Sequence, residues 1–163
     1  MALLTSTCTY AIRASLRIAE ANCASGEFVP TRRIAEDLGV SFAFLTKVLL
    51  GLSHSGILAS QRGQAGGVAL ARPARSITLH EIARSAGDDG VFRDCILGLP
   101  KCSDGAPCAL HDAWRVQRAA LELMFRTTTL GQLVETTRAR SKRSRVGTVA
   151  GKQSGRSGTR RKA

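Results

Sequence analysis

The spacing of apolar residues divides the first 55 positions into three helices. Apolar side chains recur at intervals of three and four, the period at which one face of an α-helix is buried. Helices are therefore predicted over residues 9–22, from Thr31 to Gly39, and from Ser41 to about residue 55. Thr31 and Ser41 can cap a helix N-terminus, and Gly39 can end a helix. The predicted inward positions of the second and third helices are Ile34, Ala35, Leu38, Phe44, Leu45, Val48, Leu49 and Leu52.

A β-hairpin is predicted directly after the third helix. Ile57-Leu58 and Val68-Ala69-Leu70 are short strand-forming runs, and the segment between them contains three glycines and Arg62. Two helices joined by a short turn are typical of a helix-turn-helix, and a hairpin that follows the second one is a wing. A wing usually places an arginine on DNA phosphates or in the minor groove.

The second half of the chain predicts further helices. Ser76-Ile77 has the composition of a short strand, and Thr78 with Glu81 forms a capping box that starts the next helix. A long helix is predicted over residues 109–125, followed by a short one over residues 129–137. The apolar surface of the long helix exceeds what one small domain can cover, so a two-fold partner is expected. The predicted fold class is mainly α with a small β-wing: a winged helix-turn-helix with a long C-terminal dimerisation helix.

Charge is concentrated at the C-terminal end. The chain has 24 Lys and Arg and 12 Asp and Glu, and residues 138–163 hold ten of the basic residues and none of the acidic ones. The remainder therefore carries 14 basic and 12 acidic residues, a net charge of +2. A polar, basic tail cannot bury enough apolar surface to fold, so disorder is expected. Either it attracts DNA phosphates or it only aids solubility. Four segments are predicted: residues 1–86 (DNA-binding), 87–108 (cysteine loop), 109–137 (dimerisation) and 138–163 (basic tail).

Three cysteines lie close together in a loop that glycine and proline keep from forming helix or strand. Cys95, Cys102 and Cys108 are followed by His111, with spacing Cys-x6-Cys-x5-Cys-x2-His. No run of 18 apolar residues and no signal peptide is present, so we expect a cytoplasmic protein with reduced thiols. Soft thiolates select zinc, Cu(I) or iron–sulfur clusters, so the three cysteines are predicted metal ligands. Zinc usually takes paired Cys-x2-4-Cys spacing, and a metal-free thiol switch stays open.

The chain resembles the Rrf2 family of winged-helix regulators over about residues 3–135. The resemblance rests on Tyr10-Ala11-Ile12-Arg13-Ala14, Ile34-Ala35-Glu36, Phe44-Leu45-Thr46-Lys47-Val48-Leu49, the wing motif Gly56-Ile57-Leu58-Ala59-Ser60 with Arg62-Gly63 and Gly66-Gly67-Val68, Ile77-Thr78-Leu79-His80-Glu81-Ile82, and the cysteine loop. It implies a homodimer on a near-palindromic DNA operator. It also implies an iron–sulfur cluster, 2Fe–2S or 4Fe–4S, on Cys95, Cys102 and Cys108. His111 matches the fourth ligand of some relatives; others use an acidic residue where Thr9 stands here, and Cys8 beside it is the alternative.

The predicted DNA contacts lie on the second and third helices and on the wing. They are Arg33, Ser41, Ala43, Thr46, Lys47, Arg62 and Gln64. The early turns of the recognition helix are the part that enters the major groove. No nucleophile–base pair, phosphate loop or paired carboxylate site is present, which argues against an enzyme.

The leading hypothesis is therefore a transcription regulator that senses redox state, nitric oxide or iron supply through a cluster. The alternatives are a cluster-free thiol switch, an architectural DNA-binding protein that depends on its basic tail, and an electron-transfer protein. The wing argues against electron transfer. The cluster type, the operator sequence, and the choice between repression and activation stay open. Neither a membrane nor a small-molecule substrate is predicted as a partner.

Overall fold

The computed structural model describes residues 3–25, 27–63, 66–99, 105 and 107–150, and only the backbone of residues 23–25 and 142–150. Eight helices and strands in this part carry the fold, together with two short 3-10 turns at Ala74–Ser76 and Asp89–Phe92. In chain order they are α1 (Ser6–Ser25), α2 (Thr31–Leu38), α3 (Phe42–His54), β1 (Leu58–Gln61), β2 (Gly67–Leu70), α4 (Leu79–Ser85), α5 (His111–Thr127) and α6 (Leu130–Ala150). The predicted class, mainly helical with a small two-stranded wing, is confirmed.

Local capping sets the ends of the helix-turn-helix. Gly39 adopts φ +65°, and its N–H donates to the last turn of α2. The Ser41 hydroxyl accepts a hydrogen bond from the Phe44 N–H at 3.2 Å and so starts α3. The prediction that Thr31 caps α2 is wrong: Pro30 occupies the N-cap position, and Thr31 is the first helical residue. Pro30 fits there because its φ of −59° with an extended ψ of 128° continues the extended chain that reaches it.

The wing is a two-stranded antiparallel hairpin anchored to the chain before α2. β1 and β2 pair from Leu58↔Leu70 to Gln61↔Gly67. Val29 adds a bridge to Val68 on the other edge of β2, with N–H to carbonyl distances of 2.8 and 2.9 Å. The base of the wing is therefore held by the segment that begins α2.

The core lies between α1, α3, the wing base and α4, and the start of α6 closes it. The largest fully buried side chains are Ile18, Ile34, Leu45, Leu52, Ile57, Ile77, Ile82 and Leu130. The inward set predicted for α2 and α3 is confirmed as buried, except for Phe44, which is half-buried against this core. The capping box of Thr78 and Glu81 is also confirmed. Of the short strand predicted before it, Ser76 instead ends a 3-10 turn that begins at Ala74, whereas Ile77 is extended and leads into an antiparallel β-bridge between Thr78 and Thr129.

The last two helices differ from their predicted lengths. α5 begins at His111, two residues late, and α6 continues to Ala150, well past the predicted end at residue 137. Residues 138–150 of the tail predicted to be disordered are therefore helical, and residues 151–163 lie outside the described part. Extending a helix from a packed first turn costs little, and Arg, Lys and Ala favour helix. None of the described helices has the length and apolar character needed to cross a membrane.

Candidate functional site

The outer face of α3 carries four of the predicted DNA-contacting residues. Ser41, Ala43, Thr46 and Lys47 are all exposed, on the side of α3 away from the core. The Ser41 hydroxyl is already used as the N-cap, and the Thr46 hydroxyl donates to the Phe42 carbonyl at 2.8 Å. The Lys47 ammonium makes no such local bond in the described part of the chain. Lys47 therefore presents the charged group of this face.

The remaining predicted contacts lie beside α3. Arg62 is exposed at the point where the chain leaves β1, and Gln64 lies outside the described residues. Arg33 is exposed on α2 and lines a cavity of about 810 Å³ between α1, α2 and the wing. Three carboxylate residues, Glu20, Glu27 and Asp37, also line that cavity. Arg17 lines the cavity too and pairs with Glu20 and Asp37, so the surroundings of Arg33 carry both signs of charge.

Phe42 is an exposed aromatic residue that the sequence pattern did not single out. It is the first residue of α3 and is 48% exposed. The guanidinium carbon of Arg32 lies 5.3 Å from the centre of its ring. Both side chains border a groove of about 360 Å³ between α3 and the wing. A helical projection could have found Phe42, since it falls outside the buried set of α3.

Two of the loop cysteines lie together. The sulfur atoms of Cys95 and Cys108 are 3.8 Å apart. Cys95 is buried and Cys108 is half-buried. His111 is 4% exposed, and its backbone N–H donates to the Cys108 carbonyl at 3.0 Å. Cys102, the third predicted ligand, lies outside the described residues.

Helix α5 holds both sides of this loop. The Trp114 Nε1–H donates to the Asp94 carbonyl at 2.9 Å, and the Arg118 guanidinium donates to the Arg93 carbonyl at 2.5 Å. Just before the cysteines, the Phe92 ring packs edge-on against Phe125 with centroids 5.2 Å apart. The first two turns of α5 therefore hold the backbone just before Cys95 in place.

The separation of the two sulfur atoms suits a shared metal ion. A tetrahedral ion with metal–sulfur bonds of about 2.3 Å holds two thiolate sulfurs about 3.8 Å apart. A soft donor set of this kind fits iron or zinc. Among the described residues, which include Cys95, Cys108 and the predicted fourth ligand His111, no group of three or more His, Cys, Asp or Glu side chains is placed to hold a metal ion. Cys102 is not among those residues.

Cys8 has a different environment from the loop cysteines. It is fully buried near the start of α1, and burial, the negative charge of Asp88 and a hydrogen bond to that carboxylate raise its thiol pKa to about 12. The same carboxylate accepts the Thr5 N–H at 2.8 Å. A metal ligand must be a thiolate, so this environment disfavours Cys8 as a ligand.

Comparison with known proteins agrees with this architecture. The Rrf2 family model, described as an iron-dependent transcriptional regulator, matches residues 4–136. The transcriptional regulator IscR of Cronobacter sakazakii is 36% identical over 131 residues, which cover 80% of this chain and 79% of IscR.

Solved structures show the same fold. CymR, the global cysteine regulator of B. subtilis, superposes with a TM-score of 0.68 at 20% identity, over 83% of this chain and 98% of CymR. IscR of T. potens gives 0.64 at 22% identity, over 82% of this chain and 87% of that IscR. The relatives are transcriptional regulators, a class that binds DNA. The helix-turn-helix, the wing and the family match over residues 4–136 place this chain in the Rrf2 family of transcriptional regulators.

Proposed function

We propose that the chain is a homodimeric regulator whose binding to a DNA operator is controlled by an iron–sulfur cluster. Cys95, Cys102, Cys108 and His111 would hold the cluster. The observation that carries the proposal is the 3.8 Å separation of the Cys95 and Cys108 sulfurs in a chain of an iron-dependent family. A 2Fe–2S cluster is favoured and a 4Fe–4S cluster is the alternative. When bound, such a cluster supplies a centre whose charge and ligation respond to redox state, nitric oxide or iron supply.

Contacts around the cysteine loop can transmit a movement of the loop to the DNA-binding helices. Trp114 and Arg118 fix the loop to α5, and Phe92 packs between Phe125 and His80 of α4, with ring centroids 5.2 and 5.1 Å away. α4 in turn contacts α3, where the Ser85 hydroxyl donates to the Gly51 carbonyl at 3.2 Å. A shift of the loop would therefore move α5 and α4 against the recognition helix.

The surface of α5 supports a dimer. Only His111 and Phe125 are buried in this helix of 17 residues. Its exposed apolar side chains include Val116 (61% exposed), Leu123 (62%) and Met124 (49%). A contiguous apolar face of this kind marks an interface more often than free surface. A two-fold axis along α5 would bury it and present two recognition helices about one DNA turn apart.

The test is a visible absorption spectrum of the full chain purified without oxygen, with iron and sulfide assayed on the same sample. We expect charge-transfer bands and matching iron and sulfide in the wild type. Cys108→Ser should lose the bands and the cluster-dependent change in operator affinity together. Cys23→Ser, a change in α1 outside the loop, is the matched control and should keep both. Regulation that persists in a colourless Cys108→Ser chain would contradict the proposal.

A metal-free thiol switch is the second candidate, and the same distance supports it. Two sulfurs at 3.8 Å need a small approach to reach the bond length of about 2.05 Å in a disulfide. Such a switch predicts a colourless chain without iron or sulfide. It also predicts that a mild oxidant changes operator affinity in the wild type but not in Cys95→Ser.

A further inference from the structure

We propose that Phe42 and Arg32 form a thymine-reading pair at the start of the recognition helix. The edge of the Phe42 ring would contact the 5-methyl group of a thymine in the major groove. Arg32, stacked on that ring, would bind a neighbouring phosphate. The inference rests on the proposed binding of a specific operator, and it adds a base that the polar residues of α3 do not account for.

The first observation is that Phe42 is exposed and takes no part in the core. It is 48% exposed at the first position of α3, whereas Leu45, Val48 and Leu49 form the buried face. Phe44, two residues later, turns the other way and packs edge-on against Tyr10 at 5.6 Å. The first turn of a recognition helix is the part that reaches base edges. Phe42 therefore presents an apolar group where a base would lie.

The second observation is the position of Arg32. Its guanidinium carbon lies 5.3 Å from the Phe42 centroid, within the range of a cation–π contact. In the described part of the chain that contact is the one interaction of the Arg32 side chain. Stacking leaves the N–H donors at the edge of the guanidinium available for a phosphate. The contact also restricts the rotation of both side chains before DNA arrives.

The third observation is the charge around the pair. The groove between α3 and the wing is lined by Arg32, Phe42, Thr46, Gln61 and the wing backbone at Gly63, and its described lining contains no Asp or Glu. The neighbouring cavity beside Arg33 is lined by three carboxylate residues, two of which are paired with Arg17. A polyanion is therefore favoured in the groove. The small glycine there leaves room for a DNA strand to pass close to the wing.

An aromatic ring selects thymine by contact rather than by hydrogen bonding. Phe has no donor or acceptor, so it cannot read the polar edge of a base, but it can contact the thymine methyl. Cytosine and uracil lack that methyl group. Burying one methyl group favours binding by about fourfold. The pair should therefore add a preference for thymine at one position of each half-site.

The test uses the full chain and a duplex that it selects from a randomised DNA library. Each thymine of that duplex is replaced in turn by uracil, which removes only the 5-methyl group. We expect one thymine per half-site at which the wild type loses about fourfold in affinity. Phe42→Ala should lose that penalty, so that it binds the thymine and uracil duplexes equally well, and Phe42→Leu should keep part of it. Leu3→Ala, which also shortens an exposed apolar side chain but lies before α1, is the matched control and should leave this penalty unchanged.

Arg32 is tested by salt dependence. Arg32→Gln should lower the slope of log affinity against log salt by about 0.9 per subunit. An unchanged slope would overturn the role of Arg32. If the wild type prefers its selected duplex but no thymine shows a penalty that depends on Phe42, the thymine contact is wrong while the proposed function stands. A chain that selects no sequence at all would overturn both.

Discussion

Replacing Gly67 with alanine should loosen the wing from the rest of the domain. A Cβ atom added at Gly67 would lie 2.5 Å from the Val29 carbonyl carbon and closer still to its oxygen, and 2.9 Å from the Pro30 nitrogen. These are backbone atoms, so no side chain can turn aside to make room. Carbon atoms pack at about 3.5 Å, and the two segments would therefore have to separate by about 1 Å.

The cost follows from the contacts that this separation breaks. Val29 and Val68 exchange two backbone hydrogen bonds of 2.8 and 2.9 Å, and a shift of about 1 Å would take both beyond bonding distance. Losing both costs about 2 kcal/mol, at about 1 kcal/mol each, and residual overpacking, which the separation partly relieves, adds up to about 2 kcal/mol. We expect Gly67→Ala to lower the free energy of unfolding by about 2–4 kcal/mol.

Urea unfolding at one fixed protein concentration measures this change, because the stability of the proposed dimer would depend on concentration. With a slope of about 2 kcal/mol per molar urea, the midpoint should fall by about 1–2 M. Gly51→Ala is the matched control, since the nearest described atom to an added Cβ there is the Ser85 carbonyl oxygen at 3.7 Å, an ordinary contact. DNA affinity should fall in Gly67→Ala only. A midpoint within about 0.3 M of the wild type, with unchanged DNA affinity, would refute the steric reasoning.

Three further outcomes follow from burial and charge. Because burial and Asp88 raise the Cys8 pKa to about 12, iodoacetamide at pH 8 should modify Cys108 but not Cys8 in the folded, metal-free chain; mass spectrometry that finds equal labelling would contradict this. Burial alone would raise the Glu81 pKa, but hydrogen bonds, chiefly from Thr78, lower it below its ordinary value of 4.5. The ionised form of Glu81 therefore adds stability above pH 4.5, and this stability is lost as the pH falls through the lower pKa of the folded state. The urea midpoints of the wild type and Glu81→Gln should differ at pH 7 and converge once the pH is below the folded pKa of Glu81. Leu123→Asp, at a position 62% exposed, should give a folded monomer by light scattering, and a persistent dimer would place the interface elsewhere.

Features that depend on neighbours a few positions away could be predicted from the sequence. The Ser41 cap, the turn at Gly39 and the Thr78–Glu81 capping box were all predicted and are confirmed. Each is made by groups within four residues of one another, so residue type and spacing are enough to specify it. The spacing of apolar positions at intervals of three and four likewise predicted the buried faces of α2 and α3.

Predictions failed where a distant contact overrides local preference. Thr31 has the side chain of a good N-cap, but the pairing of Val29 with Val68 keeps the chain extended as far as Pro30. Similarly, α6 starts from a first turn that is fixed when the Leu130 N–H donates to the Ile77 carbonyl at 3.0 Å. This contact joins residues far apart in the chain, so the composition of residues 138–150 does not reveal it and predicts disorder for them.

The sequence by itself determined the winged helix-turn-helix and the presence of three cysteines with a histidine in one loop. The tertiary structure decided that Cys95 and Cys108 lie 3.8 Å apart and that Cys8 is buried beside Asp88, which raises the pKa of its thiol. It also decided that Phe42 stays exposed under Arg32. The physical reason is common to all three. Helix caps and amphipathic faces arise from interactions between near neighbours in the chain, whereas side-chain environments depend on which distant segments pack together.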